Sequence, residues 1–425
     1  ESTPTIVAGT LFVGSSDLRR LSAIDPLSGQ VRWRTDVHGW SFGTPLIDGD
    51  YLYAGAAGGK PYFIEHQASF NVLDRDSGRI LTRWPLADGG GHQWGIAGSP
   101  ALTDDSVVVG LIEGSLLAFP RRVAGSWQTL APGVVLLRGR FVAGQQPDGN
   151  SVIIETDEGL LVVDSGRHAE HTARIDEYAR TSGLDPIALI NTHWHLDHVS
   201  GNAALRTAFP QLQVHASTAI EGALDGFLAD YRLQLQQALD GAAEPAQKAQ
   251  WRDELARIDR GAQLLPTHAV LNDQTRSIGG RKLQLYLETG AVSGGDVWLF
   301  DPSSRILIAG DLVTLPAPLF DTACPAGWSA ALRRLRAVDF SLLVPGHGAA
   351  MSKPEFVRYV GAFDNLLDCA ADATESAPCA SRWRDDLGDL LAPDQYELSA
   401  QLLQYYIDQV LRGPQAQRYC KVDGQ

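Results

Sequence analysis

The chain has 425 residues, of which 44% are hydrophobic and 20% are charged, close to the averages for soluble globular proteins, so the composition excludes a disordered or fibrous protein. With 35 basic against 50 acidic residues, the net charge of -15 would repel phosphate backbones and disfavours nucleic acid as a partner. No apolar run approaches the roughly 18 residues that cross a bilayer, so we expect no membrane span. The length predicts two domains.

Short β-patterns separated by turn residues fill residues 1–125, and parts of this pattern recur. One strand appears at 9–14, 49–55 and 105–110. A hairpin followed by an inward tryptophan, Trp33 or Trp84, appears at 24–33 and 73–84. Repeats of roughly 40 to 55 residues with four short strands are typical of β-propeller blades. The segment resembles pyrroloquinoline-quinone-type repeats, with two full blades and a partial third, so we expect an incomplete, partial propeller.

The incomplete ring has two explanations. Either upstream blades are missing, or the blades pack against the second domain, a partner chain or a second copy in a homo-oligomer. The chain begins with Glu1 rather than Met, and we therefore expect a processed or trimmed product. Such repeats often serve as scaffolds, so we expect no bound quinone cofactor. The repeats alone motivate one alternative function, a redox partner of quinoprotein dehydrogenases.

After a short linker at 121–125, strand and helix patterns alternate, which predicts an α+β domain over residues 126–425. Residues 151–156 and 160–166 predict a hairpin of buried strands, 169–181 a helix, and 187–190 a buried strand whose carboxyl end meets a histidine cluster. Residues 217–262 predict a helical insertion, and 396–411 lie in a C-terminal helical extension. The aromatic and leucine residues of the insertion either close a core or line a substrate pocket; their helical spacing favours a core.

Three of the eleven histidines fall within six residues, His193, His195 and His198, with Asp197 beside the last. Zinc prefers imidazole nitrogen and carboxylate oxygen in a compact shell, which a loop at a strand end can supply. His193 and His195 point the same way in extended chain, and Asp197 and His198 follow at a turn, where they can serve a second ion.

This segment resembles the metal-binding motif of the metallo-β-lactamase-fold hydrolases, and further signals at 150–151, 164–166, 309–311 and 344–348 stand in that family's order. The resemblance implies a four-layer αβ/βα fold. It implies a first metal held by His193 and His195, a second held by Asp197, His198 and His347, and Asp311 as the bridge.

The resemblance also implies the chemistry. We expect a zinc-dependent hydrolase that uses one or two ions and a metal-bound hydroxide to attack a small ester, lactone, amide or related substrate. Asp197 is the expected catalytic residue, because an aspartate at this position orients and deprotonates the attacking water.

One position departs from the family pattern. Val292 stands where the family places a third histidine ligand of the first metal, and valine cannot bind zinc. Three hypotheses follow. Glu288 or another nearby carboxylate replaces the imidazole and two metals bind; one metal at the second site performs hydrolysis alone; or the chain is a degenerate, non-catalytic metal- or ligand-binding protein of the periplasm.

All four cysteines, Cys324, Cys369, Cys379 and Cys420, lie in the last quarter of the chain. The ten-residue spacing of Cys369 and Cys379 makes them the easiest pair to close, and a bond between Cys324 and Cys420 is the first choice for the others. Cys324 as a catalytic thiol or metal ligand, and four free thiols in a cytosolic protein, are the alternatives. Two disulfides predict a periplasmic or secreted protein.

Overall fold

The computed structural model describes all residues except 1, 8, 50, 62–63, 76–77, 79, 104–105, 122–126, 141–145, 242–243, 373–374 and 421–425. The chain divides into two compact units, residues 1–126 and 127–425. Most of the predicted linker, residues 122–125, lies outside the described residues. Among the described helices, none combines the length and the hydrophobicity that a bilayer crossing requires.

The N-terminal unit consists of antiparallel sheets joined by short turns. One sheet contains β1 to β4 in sequential order, a second contains β5 to β8 with β9 paired to β6, and a third contains β10 to β12. The strands are β1 (Thr5–Val7), β2 (Thr10–Gly14), β3 (Arg20–Ile24), β4 (Val31–Asp36), β5 (Leu46–Asp48), β6 (Tyr51–Gly59), β7 (Ser69–Asp74), β8 (Ile80–Pro85), β9 (Gln93–Gly95), β10 (Ala101–Leu102), β11 (Ser106–Gly110) and β12 (Leu116–Pro120).

The two recurring hairpins fall on β3–β4 and β7–β8. In the first, the Asp25 carboxylate closes the turn by accepting hydrogen bonds from the backbone N–H groups of Leu27 and Ser28. In the second, turn residues 76, 77 and 79 lie outside the described part of the chain. The prediction of an all-β segment is confirmed, and its described strands do not close into a propeller ring.

The C-terminal unit contains two mixed sheets. A seven-stranded sheet follows the order β13 to β19, and a six-stranded sheet follows the order β20 to β25. The strands are β13 (Gln128–Ala131), β14 (Val134–Leu137), β15 (Ser151–Glu155), β16 (Leu160–Val163), β17 (Pro186–Ile190), β18 (Gln213–Ala216), β19 (His268–Ala269), β20 (Gln274–Ile278), β21 (Arg281–Glu288), β22 (Asp296–Asp301), β23 (Ile306–Thr314), β24 (Leu342–His347) and β25 (Met351–Ser352).

Helices lie around the two sheets of the C-terminal unit. They are α1 (Ala169–Ser182), α2 (Leu196–Val199), α3 (Asn202–Ala208), α4 (Ala219–Asp225), α5 (Phe227–Asp240), α6 (Pro245–Ile258), α7 (Gly261–Leu264), α8 (Pro325–Ala337), α9 (Lys353–Asp372), α10 (Ala377–Leu387) and α11 (Tyr396–Tyr406), which continues as a π-helical turn, Ile407–Leu411. Short 3-10 turns lie at Gly388–Leu390, Pro393–Gln395 and Pro414–Gln417.

Continuous apolar runs explain why these strands are buried on both faces. One side of each run packs between the sheets, where Val152, Ile190, Leu285 and Val344 belong to a single core. The other side of the first sheet packs under α1 and α3, and the other side of the second packs under α8 to α11. The layer order is therefore helix, sheet, sheet, helix, which confirms the predicted α+β fold class.

Two segments extend this four-layer body. The predicted insertion at 217–262 coincides with helices α4 to α7, which pack with Trp194, Leu196 and Val199 in a separate apolar cluster. The C-terminal extension is tied down by disulfides Cys324–Cys420 and Cys369–Cys379. Both predicted pairings are confirmed, and no cysteine is free to act as a thiol or a ligand.

Candidate metal centre

Three chain segments bring the predicted ligands to one point. These are the loop and helix α2 that follow β17, the middle of β23 and the end of β24. They contribute His193, His195, Asp197, His198, Asp311 and His347. Gly346 permits the close approach of β24 to β23, because a side chain at that position would collide with the Asp311 carboxylate.

The six residues form two groups that share Asp311. One group is His193, His195 and Asp311, and the other is Asp197, His198, Asp311 and His347; in each, one ligand atom per residue lies within 4.8 Å of the others. Asp311 Oδ2 is 3.7 Å from His193 Nε2, whereas Asp311 Oδ1 is 3.2 Å from His198 Nε2 and 3.5 Å from His347 Nε2. The Asp311 carboxylate thus has one oxygen towards each group.

Several polar atoms here are buried without a hydrogen-bond partner, namely His193 Nε2 and both carboxylate oxygens of Asp311. Leaving a buried polar group unpaired costs about 1 to 3 kcal/mol, and more when it is charged. A divalent cation would satisfy all three atoms, and imidazole nitrogen with carboxylate oxygen is a donor set that zinc prefers. The residues present therefore fit a metal ion, with three donors in one group and four in the other.

Asp164, which directly follows β16, orients two of the imidazoles. Its Oδ2 is 2.8 Å from His198 Nδ1 and accepts a 2.7 Å hydrogen bond from Thr192 Oγ1, which is itself 3.0 Å from His193 Nδ1. Since the hydroxyl proton of Thr192 goes to Asp164, its oxygen accepts from His193. Both imidazoles then carry a proton on Nδ1 and direct Nε2 towards Asp311, so Nε2 is the atom that each would offer to a metal ion.

His195 is oriented from another direction by Thr322. The Thr322 hydroxyl donates a 2.9 Å hydrogen bond to the carbonyl of Val292, and the same oxygen is 2.7 Å from His195 Nε2. Because its proton is committed to Val292, the hydroxyl oxygen accepts the N–H of His195. His195 therefore keeps its lone pair on Nδ1, the opposite tautomer from His193 and His198.

Burial and charge set different protonation states within the cluster. Burial, reinforced by neighbouring imidazolium charge, holds the pKa of His193 well below its ordinary value, and burial lowers the pKa of His195. Burial also opposes charge on His198, but the surrounding carboxylates, Asp311 foremost, outweigh it and raise the His198 pKa well above its ordinary value. Burial alone would raise the pKa of Asp311, yet the adjacent imidazolium charges lower it.

Asp197 lies between a ligand candidate and a buried ion-pair network. Its Oδ2 is 3.0 Å from His347 Nε2, and its Oδ1 is 3.6 Å from Arg167 Nη2. Arg167 Nη1 also pairs with Glu254 of α6 at 2.5 Å. Burial opposes ionisation of Asp197, but the charges of His198, His347 and Arg167 outweigh it and hold the Asp197 pKa well below its usual range. Asp197 is consequently a carboxylate at neutral pH, as a ligand or base must be.

Glu288, the predicted substitute ligand, is not brought into either group. Its carboxylate accepts hydrogen bonds from Trp298 Nε1 at 2.9 Å and from Arg334 Nη1 at 2.6 Å. Val292 is fully buried in the core beneath the second sheet. Within the described residues, the third donor of the first group is Asp311.

Three contributing residues lie outside the predicted ligand set. Asp164 belongs to the recognised 164–166 motif and Arg167 follows it directly, so the sequence signals their position although not their contacts. Thr322 lies in the loop after β23, and its bond to His195 spans 127 positions. No local spacing predicts this contact between Thr322 and His195.

A cavity of about 350 Å³ opens beside Asp197. Its lining includes Arg167, Trp194, His195, Phe227, Tyr231 and Tyr406, which come from the four-layer body, the insertion and the C-terminal extension. The volume falls at the lower end of the roughly 300 to 1,000 Å³ that small-molecule sites occupy.

Comparison with known proteins identifies relatives of both units. Residues 145–347 match the model of the metallo-beta-lactamase superfamily, and residues 1–129 match a PQQ-type repeat family described as outer membrane protein assembly factor BamB. The chain is 25% identical over 228 residues to a linear primary-alkylsulfatase from Pseudomonas sp. (strain ATCC 19151), covering 49% of this chain and 43% of that protein.

Two further relatives are similar over about half of the chain. The 2,4-dinitroanisole O-demethylase subunit alpha of Nocardioides sp. (strain JS1661) is 29% identical over 245 residues, covering 56% of this chain and 64% of that subunit. A metallo-beta-lactamase from Pontibacter korlensis superimposes with a TM-score of 0.42 at 21% identity, covering 57% of this chain and 99% of that chain. The chain thus spans less than two thirds of the length of the two curated relatives.

The motif order, the four-layer fold and the family match agree on one assignment. The resemblance predicted from the sequence is confirmed: residues 145–347 match the metallo-beta-lactamase superfamily, and residues 1–129 match PQQ-type repeats.

Proposed function

We propose that this protein is a zinc-dependent hydrolase of a small ester, lactone, amide or related molecule. The observation that carries the proposal is the buried Asp311 carboxylate, which lies between two sets of imidazoles and directs one oxygen towards each set. A buried carboxylate is costly unless positive charge lies opposite it, and a bound metal ion would supply that charge. The match of residues 145–347 to the metallo-beta-lactamase superfamily supports the same interpretation.

We infer that two ions bind. A catalytic zinc site normally has three protein ligands and one open position, and the group of His193, His195 and Asp311 supplies three donors once the shared carboxylate is counted. The second group supplies four donors, including Asp197. The missing third histidine therefore does not require Glu288 as a replacement.

When bound, zinc lowers the pKa of a coordinated water to roughly 7 and polarises the substrate. The chain's own residues perform the remaining tasks. Asp197, ionised beside Arg167, accepts the proton of the attacking water and orients it. Asp164 and Thr322 hold the imidazoles in fixed tautomers, so no reorganisation is needed when substrate arrives.

Metal analysis of the purified full chain, combined with a panel of chromogenic esters, lactones and β-lactams, tests the proposal. We expect two zinc equivalents and product release that stops after chelation and returns when zinc is added. One equivalent with activity would favour hydrolysis at the four-donor group alone. No bound metal after incubation with excess zinc would contradict the hydrolase and favour a non-catalytic binding protein. The Asp197→Ala variant should lose turnover, and full activity would refute its assigned role.

We also infer that the protein works in an oxidising compartment, the periplasm or outside the cell. Two disulfides within one small region support this inference, because cytosolic thiols are normally kept reduced. Maleimide labelling of the protein from its native source, denatured without reductant, should add no mass. Four labelled thiols would contradict the inference.

A further inference from the structure

The cavity beside Asp197 is bounded largely by parts of the chain outside the two sheets. Phe227, Leu228 and Tyr231 come from the insertion, Leu319 from the loop after β23, and Leu402 with Tyr406 from α11. We propose that this cavity binds an uncharged hydrocarbon group of the substrate, an alkyl chain or a ring, and that the enzyme selects esters carrying such a group. This inference rests on the proposed hydrolase function and names its substrate class.

An aromatic wall leads from the metal centre into the cavity. The ring centroids of Trp194 and His195 are 4.6 Å apart, those of Trp194 and Phe227 are 5.6 Å apart, and those of Phe227 and Tyr231 are 6.5 Å apart. Each ring thus contacts the next from the candidate ligand outwards. Aromatic faces of this kind bury apolar groups at low entropic cost, because the side chains are already packed.

Other lining residues add apolar surface to the cavity. Leu319 and Leu402 line it beside Tyr406. The Tyr406 hydroxyl donates a 2.6 Å hydrogen bond to Asp321 Oδ2, so its proton is not available to a ligand. Water in a cleft with these walls has few partners, and an alkyl group that displaces it gains the free energy of apolar burial.

The charges around the cavity disfavour an anion. Among its described lining residues, Arg167 is the only lysine or arginine, and the Asp197 and Glu254 carboxylates lie 3.6 and 2.5 Å from its guanidinium nitrogens. Its side chain is only 8% exposed. Asp197 and Asp321 add two carboxylates to the lining. Among the lining side chains that are not proposed metal ligands, an anionic substituent would therefore meet the Asp321 carboxylate and no unpaired lysine or arginine, whereas a neutral hydrocarbon meets neither penalty.

Two ester series test the proposal on the metal-loaded full chain: 4-nitrophenyl esters from acetate to octanoate, and alkyl acetates from ethyl to octyl. In the series whose variable side enters the cavity, we expect kcat/KM to rise about threefold to fourfold per methylene until the cavity is full. The same chain ending in a carboxylate should react at least about tenfold more slowly.

Variants locate the effect. Phe227→Ala should lower kcat/KM about tenfold for the six-carbon substrate, with a loss that grows with chain length and lies mainly in KM. Leu233→Ala is the matched control, because Leu233 lies on the same helix, is 58% exposed and does not line the cavity. It should leave both series unchanged.

Binding of the unreactive 4-nitrophenyl hexyl ether, measured by calorimetry, separates the two proposals. If the protein binds the ether, Phe227→Ala weakens that binding, and the metal-loaded protein cleaves no ester, the hydrolase proposal fails and the hydrocarbon site is supported. Two results would overturn the hydrocarbon site while supporting the hydrolase: ester cleavage whose kcat/KM does not change with chain length in either series, or equal effects of Phe227→Ala and Leu233→Ala on kcat/KM.

Discussion

The sharpest prediction concerns Thr322, which lies outside the predicted ligand set yet contacts a ligand candidate. Its buried hydroxyl joins His195 Nε2, 2.7 Å away, to the Val292 carbonyl, 2.9 Å away. Thr322→Val keeps the shape of the side chain and removes only the hydroxyl. We expect this variant to lose metal from the group of His193, His195 and Asp311 and to retain it in the four-donor group.

The magnitude follows from the two bonds that disappear. Each stranded group, one N–H and one carbonyl, costs about 1 to 3 kcal/mol of folding free energy when it stays buried and unpaired. Loss of an outer partner of a metal-bound imidazole typically lowers metal affinity about 10-fold to 100-fold. Thr322→Ser retains the hydroxyl and should restore affinity to within a few-fold of the natural protein, which separates the hydrogen bond from packing.

Competition with a chelator of known zinc affinity measures this effect directly. The natural protein should release its two zinc equivalents in steps that reflect two affinities, and in Thr322→Val the weaker step should move to lower chelator concentration. The circular dichroism spectrum should remain unchanged, which shows that the variant folds. If a folded Thr322→Val variant bound both zinc equivalents as tightly as the natural protein does, the proposal that this hydroxyl positions His195 would be refuted.

Three further changes probe the surroundings of the centre. Asp164→Asn should weaken zinc binding about 10-fold to 100-fold in the same competition assay, because it removes the shared acceptor that fixes two imidazole tautomers. Burial raises the pKa of Asp296 to about 7, so the metal-free folded state binds more protons than the unfolded state between pH about 4 and 7. The unfolding free energy of the metal-free protein should therefore fall by up to about 1.4 kcal/mol per unit as the pH rises across that window. In urea titrations, Asp296→Asn should make the unfolding free energy less dependent on pH. Replacing Cys324 and Cys420 by serine should lower the free energy of unfolding by about 2 to 4 kcal/mol and also weaken zinc binding, whereas removing the other disulfide should affect stability alone.

Local patterns were sufficient for most of the fold. The hairpin predicted at 151–156 and 160–166 appears as β15 and β16, and the helix predicted at 169–181 appears as α1, which ends at Gly183 in the left-handed conformation. These elements have strong periodicity and clear turn residues between them. The long amphipathic helix α9 was not predicted, although its buried residues recur at the three- and four-residue spacing of a helix.

The convergence of the candidate ligands was predictable because their spacing is local or their motifs are short. The residues that orient them were harder, since Thr322 and Arg167 act through contacts between distant segments. The insertion illustrates the same limit. The helical spacing of its apolar residues predicted a core, and Leu228 does pack in an apolar cluster. Leu228 also lines the cavity, together with Phe227. A periodic pattern shows that a helix has a buried face, but it does not show whether a ligand shares that face.

The contacts of Val292 show what this residue does at the position where the family has a third histidine ligand. Val292 is fully buried in the core, so its side chain serves packing, while its carbonyl holds the hydroxyl that orients His195. Val292 thus offers no ligand atom to a metal ion, but its carbonyl contacts His195 indirectly, through the Thr322 hydroxyl. The first group can lack a third imidazole because Asp311 directs one oxygen towards each group. Two imidazoles and one carboxylate still supply the three protein donors that a catalytic zinc site normally has. We therefore expect the orientation of His195, rather than a substitute ligand at Glu288, to decide whether a metal ion binds in the first group.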